Sequence, residues 1–239
     1  LHPHEADRLD DVKQELLSLM QDSDLIGETG LDYYRNLSSK ENQIKNFEFH
    51  INIAEDLNKP LIIHCRDSFS DVFDILSNKN LNNPIILHSW TGGNKWTKKF
   101  VELGVYFSIS GIITYDTAHD LQAAVTKIPT DKLLLETDVP YLAPQPFKGK
   151  RNNPTYIKYT GAKVAELIDL TPNELSKITI TNTNKVMNRE NNEWIFLDRK
   201  IKWKTKIQTR SKFFNRYEYI KKNYKISSIK RNKIGVQVY

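Results

Sequence analysis

Five short apolar runs, four of which lead into a histidine, a glutamate or an aspartate, constrain this chain more than any other feature. They are Leu25-Ile26-Gly27-Glu28, Leu61-Ile62-Ile63-His64, Ile85-Ile86-Leu87-His88, Val105-Tyr106-Phe107-Ser108, and Leu133-Leu134-Leu135-Glu136 leading to Asp138. Pro60 and Pro84 stand directly before two of them, and a strand start tolerates a residue without an amide donor. Helical patterns fill the intervals. Ile44, Phe47, Ile51, Ala54 and Leu57 recur at helical spacing, and Val72, Phe73 and Leu76 do the same after an N-cap at Asp67 or Ser68. Thr171-Pro172-Asn173-Glu174 opens a last helix with threonine as N-cap, proline at the first position and glutamate at the third. Apolar runs alternating with amphipathic helices predict an α/β fold with a parallel sheet, of the TIM-type β/α barrel kind.

In such a fold the C-terminal ends of the strands converge on one face, where active sites are built. Glu28, His64, His88 and Asp138 would then surround one mouth. Imidazole nitrogens and carboxylates together suit divalent ions such as zinc or manganese. One histidine after a strand is usually structural, and Glu28 or Asp138 alone could be an ion-pair partner or a loop anchor. Four ligand-type residues in register predict a metal site. The barrel is incomplete: five strands can be counted, whereas a full barrel has eight in about 250 residues. The first three strands are expected to precede Leu1 or to be missing.

Composition separates two parts. The chain has 239 residues with 39% hydrophobic and 27% charged, ordinary globular values. No apolar run nears the ~18 residues of a membrane helix, and Leu1 to Asp11 lacks the basic start and apolar core of a secretory signal. A single cysteine, Cys65, excludes an internal disulfide and a cysteine zinc cluster, so a reducing, cytoplasmic location is expected. The net charge of +6 is uneven: residues 1–188 carry 20 Lys and Arg against 25 Asp and Glu, residues 189–239 carry 15 against 4. A boundary is predicted there, with a partial barrel over 1–188 and a basic, aromatic-containing extension over 189–239. The extension could contact nucleic acid, as Trp203 among Lys200, Lys202, Lys204 and Lys206 suggests. It could equally be a solvated tail or the product of a shifted reading frame.

The motifs are specific as a set. Gly27-Glu28-Thr29-Gly30-Leu31-Asp32-Tyr33-Tyr34, His64-Cys65-Arg66-Asp67, His88-Ser89-Trp90-Thr91-Gly92, Ser108-Ile109-Ser110-Gly111, Glu136-Thr137-Asp138-Val139-Pro140-Tyr141-Leu142 and the loop Lys148 to Pro154 occur in this order. In these stretches the chain resembles the TatD-type metal-dependent deoxyribonucleases of the amidohydrolase-like barrel superfamily. The resemblance implies that Glu28, His64, His88 and Asp138 are metal ligands, that Glu28 can bridge two ions, and that Asp138 can also take a proton from water. Magnesium, manganese and zinc are not distinguished, and oligomeric state is not predicted. The implied activity is hydrolysis of DNA phosphodiester bonds, with DNA as the partner and no membrane involved.

Arg66 follows His64 by two positions, so strand periodicity places it on the same face, where it could grip a phosphate or pair with an acidic neighbour such as Asp67. The segment from Pro140 to Pro154 holds four of the nine prolines together with Lys148, Lys150 and Arg151. It is either a groove for the nucleic-acid backbone or a plain exposed basic loop. Two departures stand out. The family's first-strand His-x-His is missing, and His2-Pro3-His4 is not its replacement, because proline suits a central strand poorly. It matches instead a family Gly-x-His-Pro segment that follows the third strand, so His2 is expected near the substrate and not as a ligand. Trp90 replaces a smaller aromatic. The competing reading is a non-catalytic remnant or truncated gene product with a nucleic-acid-binding tail.

Overall fold

The alternation of apolar runs and amphipathic helices produces one parallel sheet. In a computed structural model of the chain, which describes residues 1–79 and 82–188, the strands are β1 (Ile26–Asp32), β2 (Leu61–Arg66), β3 (Ile85–Leu87), β4 (Tyr106–Ile109) and β5 (Leu133–Leu135). They lie side by side in chain order, each parallel to the next. The expected α/β architecture with five parallel strands is therefore present. The predicted extension over 189–239 lies outside the described residues.

Helices carry the chain back between strands. α1 (Leu9–Asp22) follows a 3-10 turn, Pro3–Arg8, and precedes β1. α2 (Lys40–Asp56) links β1 to β2, α3 (Phe69–Ser77) leads to β3, α4 (Asn94–Glu102) to β4, and α5 (His119–Val125) to β5. α6 (Ile157–Leu167) and α7 (Pro172–Val186) complete the described part. The apolar stripe expected on α2 is its buried side: Phe47, Ile51 and Ala54 join the core. Ser39 caps that helix, its Oγ accepting the Asn42 amide at 3.2 Å. Ser68 precedes α3 without capping it and donates its hydroxyl to the Leu31 carbonyl at 2.8 Å.

The predicted box at the start of α7 is complete. Thr171 Oγ1 accepts the Glu174 amide at 3.3 Å, and Glu174 Oε2 accepts the Thr171 amide at 2.8 Å. Two donors that the helix itself cannot pair are satisfied reciprocally. Thr171→Ala is expected to cost about 1 kcal/mol, measured as a lower urea midpoint with an unchanged slope.

The sheet has two unlike faces. Leu61 and Ile63 of β2, Leu87 of β3, Phe107 and Ile109 of β4 and Leu133 of β5 enter the large core under the helices. The alternate residues Ile62, Ile86 and Leu134 form a second cluster on the other face, with Val186 and the flanking Tyr106. Period-two alternation then dictates where the residues after the strands point. His64 continues the phase of Ile62, His88 that of Ile86 and Glu136 that of Leu134. β1 reaches the same face by a different route. Ile26 and Leu31 are five positions apart yet both belong to the large core, which uninterrupted alternation forbids. The register with β2 shifts between Ile26 and Thr29. That irregularity changes the phase of the strand, as bulges do.

Trp90 belongs to the core, not to the rim of the site. It is 1% exposed, donates its indole N–H to Thr97 Oγ1 at 2.9 Å, and lies 5.3–5.4 Å from the rings of Phe69, Phe100 and Phe107. The larger aromatic is a packing residue whose polar atom has a partner.

Candidate metal centre

The phase change in β1 turns Glu28 towards the face that carries His64 and His88. Glu28 is the third residue of β1, not its last as the apolar run suggested; the strand continues to Asp32. Glu28 Oε1 lies 2.8 Å from His64 Nδ1, 3.5 Å from His88 Nε2 and 3.7 Å from His2 Nε2. Burial would raise its pKa, but the His64 hydrogen bond and the neighbouring histidines hold it down at about 2. It is therefore a carboxylate at any working pH.

His88 is oriented from behind. Its Nδ1 meets Glu136 Oε2 at 3.0 Å, and the same oxygen accepts the Ser108 hydroxyl at 2.6 Å. With Nδ1 so engaged, Nε2 faces inward, 3.5 Å from Glu28 Oε1 and 3.7 Å from Asp138 Oδ1. A carboxylate behind a histidine fixes its orientation and raises its basicity. Burial opposes the charged ring, yet Glu136, Glu28 and Asp138 together push its pKa up to about 10. Asp138 stands just past β5 at φ 55°, a left-handed conformation that aspartate tolerates better than most residues. Its carbonyl accepts the Tyr141 amide at 2.8 Å, which closes a turn and sets the carboxylate beside His88.

The four residues expected to hold metal, Glu28, His64, His88 and Asp138, are thus brought together. The structure adds neighbours that the strand pattern did not single out. Asp32, fully buried, approaches His64 Nε2 at 2.9 Å and His4 Nε2 at 2.8 Å. Burial works against its charge, but those two rings and the Arg35 amide hold its carboxyl well below the usual range. His2, Glu28 and His64 each offer one donor atom within 4.8 Å of the others. His2 precedes a 3-10 turn and is in no strand, so the objection based on proline in a strand does not bear on it.

The hydrogen bonding of His2 decides its character. Its Nδ1 accepts the His4 amide at 3.1 Å. Burial, against the pull of Glu28, pushes its pKa down to about 4, so the ring is neutral near pH 7. The single proton then sits on Nε2, the nitrogen nearest Glu28. That N–H faces Glu28, and the same residue is one of the three that offer a donor atom to the centre.

The donor set fits divalent metal. The ion-pair partners of Glu28 and Asp32 among the described residues are histidines, with no lysine or arginine neutralising them. Carboxylates and imidazoles grouped in this way suit zinc, manganese or magnesium.

The remaining candidates are exposed. Arg66 ends β2 and is exposed, its guanidinium 4.0 Å above the ring of Tyr34, itself 60% exposed. Among the described residues no ion pair joins it to Asp67. Lys150 and Arg151 are exposed in the loop after Asp138. Asn152 ties that loop back: its side-chain amide donates to the Thr137 and Tyr141 carbonyls, and its backbone amide donates to the Pro140 carbonyl at 3.0 Å. Among the described residues no helix is long and apolar enough to cross a membrane.

The profile of a family described as TatD related DNase matches residues 1–188. The uncharacterized metal-dependent hydrolase YabD of Bacillus subtilis is 36% identical over 189 residues, which covers 77% of this chain and 74% of YabD. The uncharacterized metal-dependent hydrolase YcfH of Escherichia coli is 40% identical over 158 residues, 66% of this chain and 60% of YcfH. Among solved structures, the crystal structure of YJJV, a TatD homologue of Escherichia coli, superposes with a TM-score of 0.75 at 26% identity, covering 80% of this chain and 75% of that one.

Proposed function

From the premise that this chain belongs to the TatD related DNase family, similar in sequence to metal-dependent hydrolases, we propose that it hydrolyses phosphodiester bonds of DNA in the cytoplasm. The observation that carries the reading is the convergence of Glu28 and His64, within β1 and β2, with His88 and Asp138, which follow β3 and β5. These four would hold the metal. When bound, divalent metal supplies an activated water and neutralises charge on the phosphoryl oxygens.

The chain's own groups do the rest. Asp138 takes the proton from the attacking water as general base. Glu136 keeps His88 turned inward. His2, neutral, offers its Nε2–H to a substrate oxygen without adding charge. Arg66 grips a phosphate, its guanidinium held by the Tyr34 ring, and Lys150 and Arg151 meet the DNA backbone farther out.

The test is hydrolysis of a DNA oligonucleotide and of bis(p-nitrophenyl) phosphate with magnesium, manganese or zinc. Both reactions are expected to stop on chelation and to resume on adding the ion back. Rates indifferent to chelation, or hydrolysis of lactones or amides alone, would overturn the proposal.

A further inference from the structure

The alternate positions of β1 form a bracket. Glu28, Gly30 and Asp32 share the face that carries the His64 ring, and the register pairs Gly30 directly with His64. Gly30 leaves the gap in which the His64 backbone sits: a Cβ there would meet the His64 carbonyl oxygen at 2.1 Å. On either side of the gap stands a carboxylate. Glu28 Oε1 faces Nδ1 of the ring at 2.8 Å, and Asp32 Oδ2 faces Nε2 at 2.9 Å.

The two carboxylates are differently placed. Glu28 also faces His88 and His2 across the centre. Asp32 is 0% exposed and gripped from all sides. Its Oδ1 accepts the Arg35 amide at 2.7 Å, and its Oδ2 lies 2.8 Å from His4 Nε2. Its backbone amide donates to Gln43 Oε1 at 2.8 Å, while Gln43 Nε2 donates to its carbonyl. Asp32 stands to His64 as Glu136 stands to His88: a buried acceptor behind the ring.

We propose that Asp32 is a positioning residue for His64, holding the proton on Nε2 so that Nδ1, the nitrogen beside Glu28, is the one offered to the ion. This rests on the metal-centre reading above. The ring has one exchangeable proton when neutral, and an acceptor fixed behind Nε2 decides which nitrogen keeps it. His4, on the same Asp32 oxygen, steadies the acceptor.

The test is zinc or manganese binding to the full chain by calorimetry, beside the imidazole nitrogen NMR shifts of the zinc-loaded protein. For the wild type, His64 is expected to show a protonated Nε2 and a metal-bound Nδ1. Asp32→Asn, which can present an amide N–H to the ring, is expected to bind metal about 10–100-fold more weakly and to alter the His64 signature. A wild-type His64 that binds through Nε2 overturns the proposal without any variant. An Asp32→Asn variant that folds, binds metal like the wild type and keeps the tautomer overturns it as well, and leaves the metal centre standing. A wild type that binds no ion overturns the metal reading itself, and this role with it.

Discussion

Asp138→Asn is expected to lower metal-dependent phosphodiester hydrolysis on the order of 10³-fold with little change in unfolding temperature. Asparagine is the informative substitution because Asp138 sits at φ 55°, a conformation that asparagine adopts readily and alanine does not. The turn closed by the Tyr141 amide on the Asp138 carbonyl involves only backbone, so it survives the exchange. What is removed is one negative charge beside His88 and the group proposed above as the general base. His64→Ala should produce a loss of similar size by another route, deleting the ring between Glu28 and Asp32. It also leaves two carboxylates facing an empty space, so a lower unfolding temperature is expected for that variant. The measurement is the rate on bis(p-nitrophenyl) phosphate at saturating metal, with circular dichroism melting alongside. Near-normal rates in either variant would remove that residue from the mechanism.

Much of this is legible in the order of residues alone. Period-two alternation within Leu61-Ile62-Ile63-His64 and Ile85-Ile86-Leu87-His88 is enough to send both histidines to one face. The capping box at Thr171 is a local signal, with every partner within four residues. Glu28 reaches the site for a reason its apolar run does not reveal: the run ends at Glu28, but the strand passes through it and changes phase. Asp32 stands in the quoted motif without a role because the apolar run ends at Glu28, four residues before it. The signal that finds it is Glu-x-Gly-x-Asp on a strand whose neighbour ends in histidine, and that requires knowing the register. Glu136 is overshadowed by Asp138, two residues later, although its phase with Leu134 already turns it inward. His2 is expected near the substrate only from its likeness to a Gly-x-His-Pro segment, and nothing in the local sequence singles out His4. The 3-10 turn that begins at Pro3 is what lets both rings reach the centre, and turn geometry of that kind depends on packing against α2 and β1, beyond the local sequence.

Gly30→Ala tests the close approach on which the centre depends. Gly30 has φ +126°, and a Cβ built on it would lie 2.1 Å from the His64 carbonyl oxygen and 3.0 Å from the His64 nitrogen. Both atoms belong to the backbone of a central strand, so no side chain can rotate away. The strand must separate from β2 or the residue must leave its φ, and either breaks the register that sets Glu28 and Asp32 around His64. A loss of about 3 kcal/mol or more is expected, a fall of about 10 °C in unfolding temperature for a chain of this size. Gly149→Ala separates the two contributions. Gly149 also has positive φ, +85°, but nothing lies within 4 Å of its missing Cβ, so that exchange reports backbone strain alone, about 1–2 kcal/mol. If Gly30→Ala cost no more than Gly149→Ala, the contact with His64 would be relaxing freely and the bracket would not be rigid. The expected excess at Gly30, accompanied by weaker metal binding, ties the stability of the β1–β2 pair to the same atoms that build the site.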